Sequence, residues 1–134
     1  MQATTLTVPV SPKLLWGGRI LSGLPALFLL LDAAGKLIKP APVIEGTIRL
    51  GYPESVILPL GIVLLACTVL YVVPRTAVLG AILLTGYLGG AVATHVRAGD
   101  GLFPIFFPVI IGALLWGGIY LRDEWLRALL PLRN

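Results

Sequence analysis

The sequence predicts an all-α integral membrane protein, a bundle of four transmembrane helices in a single domain over residues 1–134. Hydrophobic residues make up 57% of the chain and charged residues only 12%, with a mean hydropathy of +0.98, whereas a soluble domain carries about 25% charged residues. Four apolar stretches have roughly the 20 residues that a helix needs to cross a bilayer core. Helices suit this solvent because they pair all their backbone groups internally.

The four spans are predicted over about residues 14–38, 54–73, 76–97 and 102–121. A polar segment with two prolines precedes them, and residues 1–13 are therefore expected to form a short disordered arm. After the last span, residues 122–134 alternate arginines with tryptophan and leucines, a pattern typical of an amphipathic segment at a membrane surface.

The connections between the spans are short, with one exception. Residues 39–53 contain three prolines and two glycines along an apolar stretch, which predicts a short interfacial helix over about 43–49, stopped by Gly51. This helix is expected to cover one end of the bundle. Residues 73–75 and 98–101 are tight turns by composition, so that neighbouring spans run antiparallel.

The third span carries small residues at a spacing of four, Gly86, Gly90 and Thr94. Such residues share one helical face and allow two helices to approach closely in lipid. The third span is therefore predicted to be the central packing helix. The hydroxyl groups of Tyr71 and Tyr87, within or near spans, are expected to bond to a neighbouring helix, with a role in ligand binding as the lesser alternative.

The basic residues set the expected orientation. They are scattered along the chain and form no stripe, which argues against a nucleic-acid partner in spite of the net charge of +4. Four spans place both termini on one side, and six basic residues fall there against four on the other. Because positive residues favour the cytoplasmic side, we predict a multi-pass membrane protein with cytoplasmic termini.

The predicted topology gathers polar residues at the opposite, outer end. The end of the first span, the start of the second and the end of the third meet there, together with the loop that follows. This polar mouth contains Asp32, Lys36, Tyr52, Glu54, His95, Arg97 and Asp100.

Three interpretations of this mouth compete. It is a structural cluster of ion pairs, with Asp32 bridging Lys36 or Arg97, or it is a binding site for a small lipophilic ligand. A quinone-like head group would accept hydrogen bonds from His95, Arg97 and Lys36, and the spans would hold its apolar tail. Proton or ion passage is disfavoured, because no acid or histidine continues a path to the other side.

His95 has limits as a site residue. It is the single histidine and Cys67 the single cysteine, so no metal or haem site is predicted, since such sites need several ligands. On an intact helix His95 and Arg97 point about 200° apart. Arg97 shares the face of Gly90 and Thr94, and His95 is expected to point elsewhere.

Several motifs resemble the DoxX-like family of small bacterial membrane proteins. The resemblance covers roughly residues 32–123 and rests on residues 32–37 (DAAGKL), 50–53 (LGYP), 74–81 (PRTAVLGA) and 89–97 (GGAVATHVR). It implies a four-helix membrane bundle in the bacterial inner membrane. The wider group includes a membrane subunit associated with thiosulfate:quinone oxidoreductase, but this chain offers no accessible cysteine for sulfur chemistry. The resemblance is therefore used only to select candidate ligand-binding residues and not to assign an activity: Asp32, Lys36, Tyr52, His95 and Arg97.

Two functions therefore remain. The first is a membrane subunit or quinone-binding partner of an oxidoreductase system, acting with a soluble redox partner. The second is a non-catalytic scaffold or assembly factor with a structural polar cluster. Catalytic residues, enzymatic activity and a homo-oligomeric state are left open.

Overall fold

A computed structural model of the chain describes residues 12–122. Five helices follow one another and are named here in chain order: α1 (Pro12–Ile38), α2 (Ala41–Arg49), α3 (Ile57–Val72), α4 (Ala77–Ala98) and α5 (Leu102–Arg122). Short 3₁₀ turns over Glu54–Val56 and Pro74–Thr76 lead into α3 and α4. Residues 12–122 contain no strand, so the predicted all-α fold is confirmed.

Four of these helices are long and apolar enough to cross a membrane. The candidate spans are Leu15–Ile38, Glu54–Val72, Pro74–Ala98 and Leu102–Leu121, which agree with the predicted spans to within two residues. The predicted disordered arm was too long, because Pro12 and Lys13 already belong to α1. Residues 1–11 of that arm and residues 123–134 of the predicted amphipathic tail lie outside the described residues.

The four long helices form a ring rather than a layer around one helix. α1 packs against α3 and α5, and α4 packs against the same two helices. α1 and α4 therefore occupy opposite corners, and the prediction that the third span is the central packing helix is wrong. The core contains large side chains from all four helices that are almost fully buried: Leu29, Ile57, Leu64, Tyr71, Leu84, Leu115 and Ile119.

Close backbone contacts occur at glycines other than the predicted ones. A Cβ atom at Gly80 would overlap the backbone nitrogen of Tyr71 and lie 2.6 Å from its Cα. A Cβ at Gly61 would lie 2.8 Å from Cβ of Lys36. Gly86 and Gly90, in contrast, have nothing within 4 Å of their Cβ positions. The small-residue face of α4 is therefore not a helix contact, which corrects the prediction.

A buried hydrogen-bond network joins three helices away from α2. The Tyr71 hydroxyl on α3 donates to the backbone carbonyl of Leu115 on α5 at 2.6 Å, and it lies 2.9 Å from Oγ of Ser22 on α1. Tyr71 is 1% exposed. The prediction that this hydroxyl bonds to a neighbouring helix is confirmed, and the network satisfies polar groups that are costly to bury unpaired.

The predicted short helix in the longest connection is confirmed as α2. It is followed by Gly51, and α4 by Gly99, with φ of +97° and +74°. Glycine adopts this left-handed region without the Cβ penalty of other residues. These two glycines let the chain reverse at the same end of the bundle, so that α2 lies near the loop between α4 and α5.

Candidate functional site

A cavity of about 500 Å³ lies between the opposite corners of the ring, at the end that α2 covers. Its walls come from α1, α3, α4 and α5, and residues of and after α2 contribute Thr47, Leu50 and Tyr52. Gly86 and Gly90 line it, which explains the open space beside their Cα atoms. The small residues of α4 therefore widen the cavity instead of closing a helix contact.

The cavity combines an apolar wall with polar side chains. The apolar residues are Phe28, Leu29, Leu50, Leu60, Leu88, Ala91, Phe107 and Pro108. Phe28 and Phe107 meet edge to face, with ring centroids 5.1 Å apart. The polar side chains are Asp32, Lys36, Thr47, Tyr52, Tyr87, Thr94 and His95. Such a mainly apolar pocket with a few polar groups is typical of small-molecule sites.

An ion pair lies in the cavity wall on α1. The Lys36 ammonium donates to Oδ1 of Asp32 at 2.6 Å, one helical turn away. Their side chains are 17% and 36% exposed. The alternative partner predicted for Asp32, Arg97, is not the one found. The pair uses one ammonium proton and one carboxylate oxygen, which leaves further donors on Lys36 and an acceptor on Asp32.

A second polar group joins the cavity to the outer loop. Asp100 accepts hydrogen bonds from Arg49 Nη1 at 3.0 Å and from His95 Nδ1 at 2.5 Å, each on a different carboxylate oxygen. The hydrogen bond from Arg49 and, second, that from His95 hold the pKa of Asp100 below its ordinary value. Asp100 is therefore a carboxylate at neutral pH, bonded on both oxygens.

Two further contacts fasten the α2 segment to α4. Arg97 Nη2 donates to the backbone carbonyl of Leu50 at 3.0 Å. The Tyr52 hydroxyl lies 2.7 Å from Oγ1 of Thr94, and Thr94 itself donates to the carbonyl of Gly90. Because a threonine hydroxyl has one proton, Tyr52 is the donor to Thr94.

Two polar groups in the cavity are unpaired. Within residues 12–122, neither the Tyr87 hydroxyl nor Nε2 of His95 has a hydrogen-bond partner, although both side chains line the cavity. The prediction that Tyr87 bonds to a neighbouring helix is therefore wrong. An unpaired hydroxyl is costly away from water, and a bound molecule would remove that cost.

The predicted site residues divide into two sets. Asp32, Lys36, Tyr52 and His95 line the cavity, and Arg97 does not. His95 was expected to point away from Gly90 and Thr94 on an intact helix, and this expectation is wrong. α4 is helical to Ala98, and the cavity is wide enough to contact both Thr94 and His95.

Other expectations concern metals and thiols. In the part of the chain that the structure describes, no three His, Cys, Asp or Glu side chains group as metal ligands. Cys67 is 8% exposed and lies in the core. Sequence reasoning gave Tyr87 a ligand role only as the lesser alternative, and it missed Phe28 and Phe107 as cavity residues.

Comparison with known proteins gives one match. A family model described as the DoxX-like family matches residues 20–118, which includes every cavity residue named above. No curated protein and no solved structure matches the chain.

Proposed function

The chain belongs to the DoxX-like family, and from that premise we propose that this multi-pass membrane protein binds a lipophilic redox molecule, quinone-like in shape, in the cavity beneath α2. The cavity itself is the observation that carries the proposal. It combines about 500 Å³ of space, an aromatic and aliphatic wall, and unpaired polar groups near its covered end. In this proposal the protein acts as the membrane component of an oxidoreductase system with a soluble redox partner.

One observation favours a second function, that of a non-catalytic scaffold. Most polar groups at this end bond to one another: Asp32 to Lys36, Asp100 to Arg49 and His95, and Arg97 to the Leu50 carbonyl. A scaffold with a structural polar cluster would need no more than these contacts. The unpaired Tyr87 and the space beside Gly90 are what this second function leaves unexplained.

The test fills part of the cavity with a larger side chain at position 90. The full chain is purified in mild detergent, and the bound lipophiles are extracted and identified by mass spectrometry, for the wild type and for Gly90→Leu and Gly89→Leu. Gly89 is the matched control, since its Cβ position is equally open but it does not line the cavity. We expect one lipophile in stoichiometric amount in the wild type and in Gly89→Leu. In Gly90→Leu we expect about tenfold less, the equivalent of about 1.4 kcal/mol.

Equal amounts of lipophile in the two leucine variants would place the molecule outside the cavity. Bulk phospholipid alone in all three samples would favour the scaffold. Either result contradicts the proposed binding function.

We further propose that the membrane is the bacterial inner membrane and that both termini face the cytoplasm. The support is the excess of Lys and Arg on the side of the termini: Lys13, Arg19, Arg75, Arg122, Arg127 and Arg133, against Lys36, Lys39, Arg49 and Arg97. Epitope tags at both termini are expected to resist protease added to intact spheroplasts. Cleavage of the tags before lysis would mean that the termini face away from the cytoplasm, which contradicts the proposed orientation.

A further inference from the structure

The two nitrogens of His95 differ in their surroundings. Nδ1 lies 2.5 Å from Oδ2 of Asp100, and Nε2 is without a partner in the described residues 12–122. The ring lines the cavity, with 23% of its side chain exposed. Which nitrogen carries the proton in a neutral imidazole is set by the hydrogen bond that the other makes.

Asp100 determines which nitrogen of a neutral His95 carries the proton. Its Oδ1 accepts from the guanidinium of Arg49, a group that only donates, and its Oδ2 faces His95. A carboxylate is an acceptor on both oxygens, so the proton of a neutral His95 must lie on Nδ1. Nε2 is then a bare acceptor on a ring that lines the cavity.

The donors that a quinone carbonyl would need are largely used elsewhere. Arg97 donates to Leu50, Tyr52 donates to Thr94, and His95 donates through Nδ1 to Asp100. Lys36 and Tyr87 can still donate to a ligand oxygen. The cavity thus offers donors on one side and, at His95, a position that is satisfied only by a ligand that donates.

We propose that the ligand carries a phenol-type hydroxyl group and that this hydroxyl donates to Nε2 of His95, with Asp100 as the positioning residue that fixes the acceptor nitrogen. This inference rests on the proposed binding function and names the ligand class of the same cavity. A ring that bears a hydroxyl, such as the hydroquinone form of a quinone-like molecule, would contact the apolar wall of Phe28 and Phe107 and donate to His95, all of which line the cavity. A ligand with carbonyl oxygens alone leaves Nε2 unpaired.

The substitution Asp100→Asn exchanges the donor and acceptor roles of the two His95 nitrogens, and residue 100 keeps both of its hydrogen-bond partners. Arg49 can only donate, so the amide oxygen of Asn faces Arg49 and its NH₂ group faces Nδ1 of His95. Nδ1 becomes the acceptor and the proton moves to Nε2. Shape and both partners are kept, and the group that His95 presents to the cavity changes from acceptor to donor.

The experiment uses the full chain in lipid nanodiscs and two probes of similar shape. 4-Hexylphenol can donate a hydrogen bond, and 4-hexylanisole has the same oxygen but only accepts. Affinities are measured by isothermal titration calorimetry in mildly alkaline buffer, which favours a neutral imidazole, with empty nanodiscs subtracted. In the wild type we expect the phenol to bind about tenfold more tightly than the ether, within the range of one hydrogen bond.

In Asp100→Asn we expect this preference to fall to about onefold, because Nε2 then donates to the oxygen of either probe, while the melting temperature stays near wild type. A role of Asp100 in folding alone would weaken both probes together and leave their ratio unchanged. His95→Phe is the second variant, and it should also lose the preference.

Three results would overturn the inference. The first is equal affinity of the wild type for the two probes, together with loss of binding of both probes in Gly90→Leu. This result would leave the binding function intact. The second is a preference retained in Asp100→Asn. The third is binding of neither probe, which would contradict the binding function as well.

Discussion

Replacing Gly80 with alanine is expected to destabilise the bundle by about 3 kcal/mol, the upper end of the cost of overpacking. The new methyl group would meet the backbone of Tyr71 and lie 2.8 Å from the carbonyl carbon of Leu70. Backbone atoms in a helix cannot move aside singly, so α3 and α4 must separate. Because the Tyr71 hydroxyl bonds to α5 and lies beside Ser22 of α1, the shift reaches all four long helices.

The free energy of unfolding in mixed micelles with increasing dodecyl sulfate measures this effect. Gly89→Ala is the control, because it makes the same change on the same helix where nothing lies within 4 Å. It should not lose stability, since alanine is favoured over glycine in helices. Equal unfolding free energies for the two variants would mean that α3 and α4 tolerate a wider separation.

Replacing Lys36 with methionine is expected to cost about 2 kcal/mol. The substitution keeps the side-chain stem that packs on Gly61 and removes the partner of Asp32, 2.6 Å away. Breaking a buried pair from one side typically costs 3–5 kcal/mol. We expect less here, because Asp32 is 36% exposed towards the cavity.

The double variant Asp32→Asn, Lys36→Met separates the ion pair from the packing. No unpaired charge remains in it, so most of the lost stability should return, measured by the same micelle titration. If the double variant is as unstable as Lys36→Met alone, the loss comes from packing around α1 and the charge of Asp32 is unimportant.

The membrane spans could be predicted from sequence because length and hydropathy alone determine whether a helix crosses a bilayer. The turns followed from Gly51, Gly99 and Pro74, whose backbone preferences are local. The polar mouth was also predictable in part, since antiparallel spans bring Asp32, Tyr52 and His95 to one end.

The groups that a residue contacts on other helices could not be predicted in the same way. The spacing of Gly86, Gly90 and Thr94 shows that they share a helical face, but the same pattern serves a close helix contact or the wall of a cavity. The contact at Gly80 depends on the position of α3, which the spacing does not give. The acceptor state of His95 depends on Asp100 and Arg49, and the bond from Arg49 spans 51 residues of sequence.

The stability of the bundle and access to its cavity depend on different parts of the structure, because α2 only covers one end. None of its residues, all of which the structure describes, is buried, and polar contacts at Arg49, Leu50 and Tyr52 fasten this segment. The ion pair of Arg49 with Asp100 weakens with ionic strength, whereas the backbone packing at Gly80 does not. Local opening of such a segment requires far less free energy than global unfolding. Sequence changes in the cover can thus alter the rate of exchange between cavity and membrane while the melting temperature of the bundle stays constant.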